Sequence, residues 1–112
     1  MLSYERLDVY QRTIELLSIL LPVIDGFPRG HGAVRDQLKR ASLSIALNIA
    51  EGVGRPTSDD ARRFYAMARG SAMETGAVLD VCRLVNLFDV EVHRRGKDLL
   101  ERIVAMLTKM AL

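Results

Sequence analysis

A chain of 112 residues with 49% hydrophobic content has room for one domain, residues 1–112, and can build an ordinary core without staples. The lone Cys82 excludes an internal disulfide and suits a reducing, cytoplasmic setting, where it reads as a small core residue. A net charge of +2 with a pI of about 9.0 permits nucleic-acid binding without establishing it, and the longest apolar stretch, Leu16 to Ile24, is too short and too interrupted to span a membrane.

Aromatics are only 5% of the chain and Trp is absent, so Leu, Ile, Val, Ala and Met carry the apolar content and composition leans all-α. No basic-then-apolar leader follows Met1, so the protein is expected to be soluble and unexported.

The first predicted helix runs from about Ser3 to Leu21. Its apolar positions Tyr10, Ile14, Leu17, Leu21 and Ile24 recur at alternating spacings of four and three. Pro22 is expected to kink or end it, and D-G-F-P-R-G-H-G (25–32) reads as loop. The second helix spans about Ala33 to Glu51. Leu38, Ser42, Ile45 and Ile49 form one stripe, while Leu43 and Leu47 form another on a different side. A helix apolar around most of its circumference is buried on more than one face, so Leu43 and Leu47 are expected to meet a second copy of the chain.

Residues N-I-A-E-G-V-G-R (48–55) close this helix. They match neither a Walker loop, which needs G-x-x-x-x-G-K-[ST], nor a dinucleotide fingerprint, which follows a strand. Gly52 is therefore expected to be a left-handed helix terminator, Pro56 to prevent the helix resuming, and Glu51 and Arg55 to fasten the corner.

T-S-D-D (57–60) opens the third helix, with Thr57 or Ser58 as cap and two aspartates at the positive helix end. It continues to about Asn86, with Phe64, Ala68, Ser71, Thr75, Val78, Cys82 and Val85 facing inward. Arg62, Arg69, Gly76 and Arg83 repeat every seven residues along another side. Asp89 caps a fourth helix with Leu100, Ile103, Leu107 and Met110 inward, weakened in its first half by Gly96. Four such segments joined by short connections make an all-α, up-down-up-down antiparallel four-helix bundle.

Catalytic chemistry finds no support. His31 and His93 are far apart, with no Cys or carboxylate at ligand spacing, and the Glu-x-x-His pairs of di-iron bundles are missing. Asp89, Glu91 and His93 read as a solvated triplet. Ser42, Ser44 and Ser71 read as packing residues bonding back to the helix backbone. The chain is therefore read as having no catalytic residues, no metal site and no cofactor. The basic residues Arg35, Lys39, Arg40, Arg55, Arg62, Arg63 and Arg69 are the candidate nucleic-acid contacts, acting on phosphates because aromatics are not interleaved with them. If the turn between the second and third helices centres on residue 54, Glu74 reaches Arg35 or Lys39, and Asp36 answers Arg40 or Arg69. Asn48, placed between Ile45 and Ile49, is expected to bond a polar group on the third helix or an adjoining turn.

The runs Q-L-K-R-A-S-L-S-I-A-L-N-I-A-E-G-V-G-R (37–55) and F-Y-A-M-A-R-G-S-A-M-E (64–74), with L-D-V-Y-Q-R-T-I-E-L (7–16), give the chain a family likeness. It resembles the four-helix-bundle proteins encoded in 23S rRNA intervening sequences, a likeness covering nearly the whole chain. The resemblance implies a small bundle assembled into a ring, typically a homopentamer, without established enzymatic activity. A related branch is similar to the accessory subunit of diversity-generating retroelements, which implies RNA or DNA, a reverse transcriptase or another nucleoprotein as partner. Asn48, Glu51, Gly52, Gly54 and Arg55 match the first motif, and Arg69, Gly70, Ser71 and Glu74 the second. Ala46 stands where the family often has proline, implying a straighter second helix, and Gly76 where a second acidic residue is common. The alternative to nucleic-acid binding is a protein-binding adaptor in which the arginine rows pair within or between subunits.

Overall fold

A single turn of 3-10 helix, Ser3–Arg6, leads into α1 (Asp8–Asp25), α2 (Gly32–Val53), α3 (Ser58–Leu84) and α4 (Val90–Met110), with no strand. The structure is a computed structural model describing residues 1–112. Each helix packs on its neighbours in chain order and α4 closes against α1, while the backbones of the diagonal pairs stay more than 8 Å apart, Cα to Cα. The body measures 44 × 26 × 22 Å, its long dimension set by α3, which at 1.5 Å per residue is about 40 Å long. Cross-helix contacts run in opposite senses along neighbours, Gln37 meeting Glu74 and Ser44 meeting Ser71, as an antiparallel bundle requires.

Capping residues set two helix starts. The Asp60 amide donates to Thr57 Oγ1 at 3.2 Å, and the Val92 amide donates to Asp89 Oδ1 at 2.7 Å. Asp59 and Asp60 add negative charge to the first turn of α3, where the helix dipole is positive. At the far end of α3, Asn86 takes the left-handed conformation (φ 61°), and the Leu87 amide reaches back to the Cys82 carbonyl at 2.8 Å. This turn delivers Phe88 into the core, edge-on to Phe27 at 5.7 Å.

The first predicted helix differs from the observed one at both ends and in rotation. Leu7 is extended (ψ 132°) and separates the 3-10 turn from α1, while Tyr4 folds back onto Tyr10 at 4.8 Å. Pro22 does not end the helix, which runs on to Asp25 because Ile24 is fully buried in the core and holds the last turn. The buried face is Val9, Thr13, Leu16, Leu17, Leu20 and Ile24, whereas Ile14 is 44% exposed and Tyr10 and Leu21 are half-buried. Thr13 can be buried because its hydroxyl donates to the Val9 carbonyl at 2.7 Å, so an apolar count alone misplaces the stripe.

On α2 the expected stripe holds, Leu38, Ser42, Ile45 and Ile49 all being fully buried. On α3 the core positions are Ala68, Ala72, Thr75, Leu79 and Cys82; Phe64, Ser71 and Val78 are half-buried and Val85 lies outside. Burial pushes the Cys82 thiol pKa up, consistent with its reading as a small core residue. On α4 Leu99, Leu100, Ile103 and Leu107 are buried, and so is Gly96. A Cβ at Gly96 would stand 3.0 Å from Leu79 Cδ1, so this glycine permits close approach of α4 to α3 as well as weakening the helix.

Candidate functional site

The N-I-A-E-G-V-G-R corner is a clamp between α2 and α3. Gly52 is buried inside the last turn of α2, and Gly54 has φ −79°, so neither is left-handed. This corrects the expectation of a left-handed terminator at Gly52. Its glycine is required by the neighbour: an added Cβ would stand 2.6 Å from Tyr65 Cε1 and 3.2 Å from the Ala61 carbonyl oxygen. Gly54 donates its amide to the Ala50 carbonyl and Arg55 donates to that of Gly52, both at 3.2 Å, so these amides close the helix end rather than face an anion. Arg55 is ion-paired to Glu51, and its guanidinium lies 4.5 Å over the Phe64 ring, with Arg63 against the same ring at 5.3 Å. Glu51 and Arg55 thus fasten the corner as expected.

Five of the seven predicted cationic contacts already have a carboxylate. Arg35 pairs with Asp36 (3.3 Å), Lys39 with Asp25 (3.6 Å), Arg40 with Glu74 (3.8 Å), Arg55 with Glu51 and Arg62 with Asp59. Arg63 has only the Phe64 ring, and Arg69 Nε donates to Thr108 Oγ1 at 2.8 Å. Glu74 therefore meets Arg40 and accepts from Gln37, instead of Arg35 or Lys39, and Asp36 serves Arg35 instead of Arg40 or Arg69. The reason is register: α2 extends to Val53 and the connection to Thr57, so the turn centres near residues 56 and 57 rather than 54.

Asn48 also differs from expectation. Its amide donates within its own helix, to the Ser44 carbonyl at 2.9 Å and to Ser44 Oγ at 3.0 Å. Ser44 Oγ in turn shares a 2.8 Å hydrogen bond with Ser71 Oγ, so Asn48 reaches α3 through one intermediary. The two hydroxyls thus cross-link the helices instead of bonding back to their own backbone, as was expected of them and as Ser42 does to the Lys39 carbonyl at 3.2 Å.

On the α3–α4 side Asp80 takes Lys97 Nζ at 2.8 and 3.0 Å and His93 Nε2 at 2.9 Å. Asp89 is committed to its cap and Glu91 to Arg94, so the three residues of the expected surface triplet go separate ways. No three His, Cys, Asp or Glu side chains stand together as metal ligands. The Lys97 and His93 hydrogen bonds hold the Asp80 carboxyl below its ordinary pKa. A lowered folded-state pKa contributes stability that is present above the unfolded value and lost as pH falls through the folded one. Asp80→Asn is thus expected to cost stability near neutral pH and much less near pH 3, the difference staying below about 1 kcal/mol because the side chain is half exposed. Urea unfolding of both proteins across that range checks this; a gap that widens on acidification would sink it.

The outer surface of α2 and α3 is unusually apolar for a charged chain. Leu47 is 68% exposed and Leu84 82%, with Met67, Met73 and Val81 about half exposed. Leu43 is half-buried within its own bundle, so of the two expected interface leucines only Leu47 stands fully outward. A groove of about 480 Å³ between α3 and α4 continues this surface, walled by Ala72, Met73, Gly76, Ala77, Leu100 and Val104. Sequence reading missed the groove, although α3 places Met73, Gly76 and Ala77 at helical spacing. It also passed over Arg95, Arg102 and Lys109 of α4, whose seven-residue spacing was the available signal.

An antiparallel four-helix bundle with a clamped α2–α3 corner, hydroxyl cross-links and no metal-binding cluster defines an α-helical bundle protein whose distinctive features lie on its outer faces. The chain belongs to the 23S rRNA-intervening sequence protein family, whose family model matches residues 5–109. No curated protein matches the chain. No helix is long and apolar enough to cross a membrane.

Proposed function

We propose that this chain is a non-catalytic, cytoplasmic bundle protein that assembles with copies of itself into a ring, a homopentamer, and binds RNA or DNA, alone or as part of a nucleoprotein such as a reverse transcriptase complex. The observation carrying the nucleic-acid part is the imbalance of free charge. Eight of the sixteen Lys and Arg side chains have no carboxylate within 4.0 Å, against four of the fourteen Asp and Glu that lack a basic partner. Two of those four acids are otherwise engaged: Glu5 accepts the Leu2 amide and Asp89 caps α4. The unneutralised surface charge is therefore mostly positive, as a phosphate-contacting protein requires. The non-catalytic part is supported by Ser44 and Ser71 spending their hydroxyls on each other. The exposed Leu47, Met67 and Met73 support assembly, since large apolar side chains left in water gain by being covered by a second copy.

Titrating the assembled protein with duplex RNA or DNA between about 50 and 200 mM salt is expected to show log K falling linearly with log salt, by about 0.9 per neutralised phosphate. Binding that is absent or indifferent to salt would overturn this reading, and a monomeric mass in solution would overturn the ring. The apolar α3–α4 groove favours a second reading, a protein-binding adaptor. Recovery of one defined protein with no nuclease-sensitive material would select it.

A further inference from the structure

Arg95, Arg102 and Lys109 are exposed, lack a carboxylate partner and stand seven residues apart on α4. Seven residues are nearly two helical turns, so the three side chains follow one line of the helix, about 21 Å from end to end. That line runs on the α1 side: Lys109 borders a shallow crevice together with Leu7, Asp8 and Met106.

The carboxylates nearest to this row are already engaged. On α1, Asp8 and Glu15 turn to Arg12, at 3.3 and 3.8 Å. On α4, Glu91 and Asp98 both turn to Arg94. Glu101, adjacent in sequence, lines the groove on the α3 side instead. Three positive charges therefore face solvent along one edge of the bundle with no carboxylate within 4.0 Å, Glu91 being near enough to Arg95 to feel its charge but bonded to Arg94.

We propose that the α4 row is the principal phosphate contact of this protein, along which the backbone of a nucleic-acid duplex lies. The inference rests on the nucleic-acid reading above and moves its centre away from the seven candidate cations of α2, α3 and the connection between them, five of which are paired. A paired arginine must release its carboxylate before it engages phosphate; no residue of the α4 row is in an ion pair. No Phe, Tyr or Trp occurs on α4 and its one imidazole, His93, is turned to Asp80, so base stacking is not offered and recognition is of the backbone, which favours a duplex over a single strand. About 21 Å of duplex axis presents roughly twelve phosphate charges, ample for three contacts without bending the duplex.

The test compares full-length Arg95→Gln/Arg102→Gln/Lys109→Gln with full-length Arg35→Gln/Lys39→Gln/Arg40→Gln by fluorescence anisotropy. Duplex RNA and duplex DNA of equal length serve as probes over the same salt range. The α4 triple variant is expected to show a salt slope shallower by about 3, and the α2 variant a smaller change. Wild-type binding with an unaltered slope in the α4 variant overturns the proposal and leaves the nucleic-acid reading standing. Absence of wild-type binding overturns both. The charge-preserving Arg95→Lys/Arg102→Lys variant is expected to keep the wild-type slope; a loss there as large as in the neutral variant would assign the effect to fold or assembly and overturn the proposal.

Discussion

Leu20→Ala is expected to lower the unfolding free energy by about 2–5 kcal/mol, while Ile14→Ala changes it by no more than about 0.5 kcal/mol. Both residues are branched aliphatics on α1, and the apolar periodicity of the sequence favours Ile14. The structure reverses that order. Leu20 has no exposed surface, and its Cδ2 stands 3.8 Å from where a Cβ of Gly96 would be, so it fills the space that the glycine leaves between α1 and α4. Shortening it opens a cavity against a glycine, which offers no side chain of its own to fill the space, beside the buried Leu16 and Leu79. Ile14 is 44% exposed and loses little burial on truncation. Urea unfolding at one protein concentration decides the matter; equal losses would mean that α1 is rotated from the face described.

Gly52→Val is expected to destabilise by about 3 kcal/mol, although valine is a better helix former than glycine. The added Cβ alone would meet Tyr65 Cε1 at 2.6 Å, Tyr65 Cδ1 at 3.0 Å and the Ala61 carbonyl oxygen at 3.2 Å. Tyr65 can swing outward, but the Ala61 carbonyl is backbone of α3 and yields only if the two helices separate. Burial already pushes the Tyr65 pKa up, a sign that the ring is partly withdrawn from water at this corner. A double-mutant cycle of Gly52→Ala with Tyr65→Ala isolates the cause. Removing the ring is expected to recover about 1 kcal/mol or more of the Gly52→Ala loss. Coupling indistinguishable from zero would return Gly52 to the role of a simple helix stop.

These two sites mark where reading the sequence succeeds and where it fails. Helix number, order and the starts of α3 and α4 were legible because their signals are local: T-S-D-D and Asp89 satisfy amides three residues away, and Gly and Pro interrupt the chain between segments. The α2 core face was legible because Leu38, Ile45 and Ile49 leave only one rotation that buries all of them. On α1, nine residues from Leu16 to Ile24 contain so many aliphatics that two rotations satisfy periodicity equally well, and a hydrogen-bonded threonine helps choose between them. The candidate cations were visible as a list of arginines. Which of them are neutralised was not visible, since Lys39 meets Asp25 and Arg40 meets Glu74 across helix pairs whose register depends on the length of α2 and its turn.

By itself, the sequence determined an all-α bundle of four helices, the caps that start α3 and α4, the burial of Cys82 and the family to which the chain belongs, all of which rest on local chemistry or on residues compared one by one. Only the tertiary structure decided that Gly52 answers Tyr65, that Ser44 and Ser71 share a bond, that Asp80 holds Lys97, and that Arg95, Arg102 and Lys109 form no ion pair. Each of these depends on distances between residues far apart in the chain, and such distances are set by helix rotation and register, which periodicity constrains only to within about one turn.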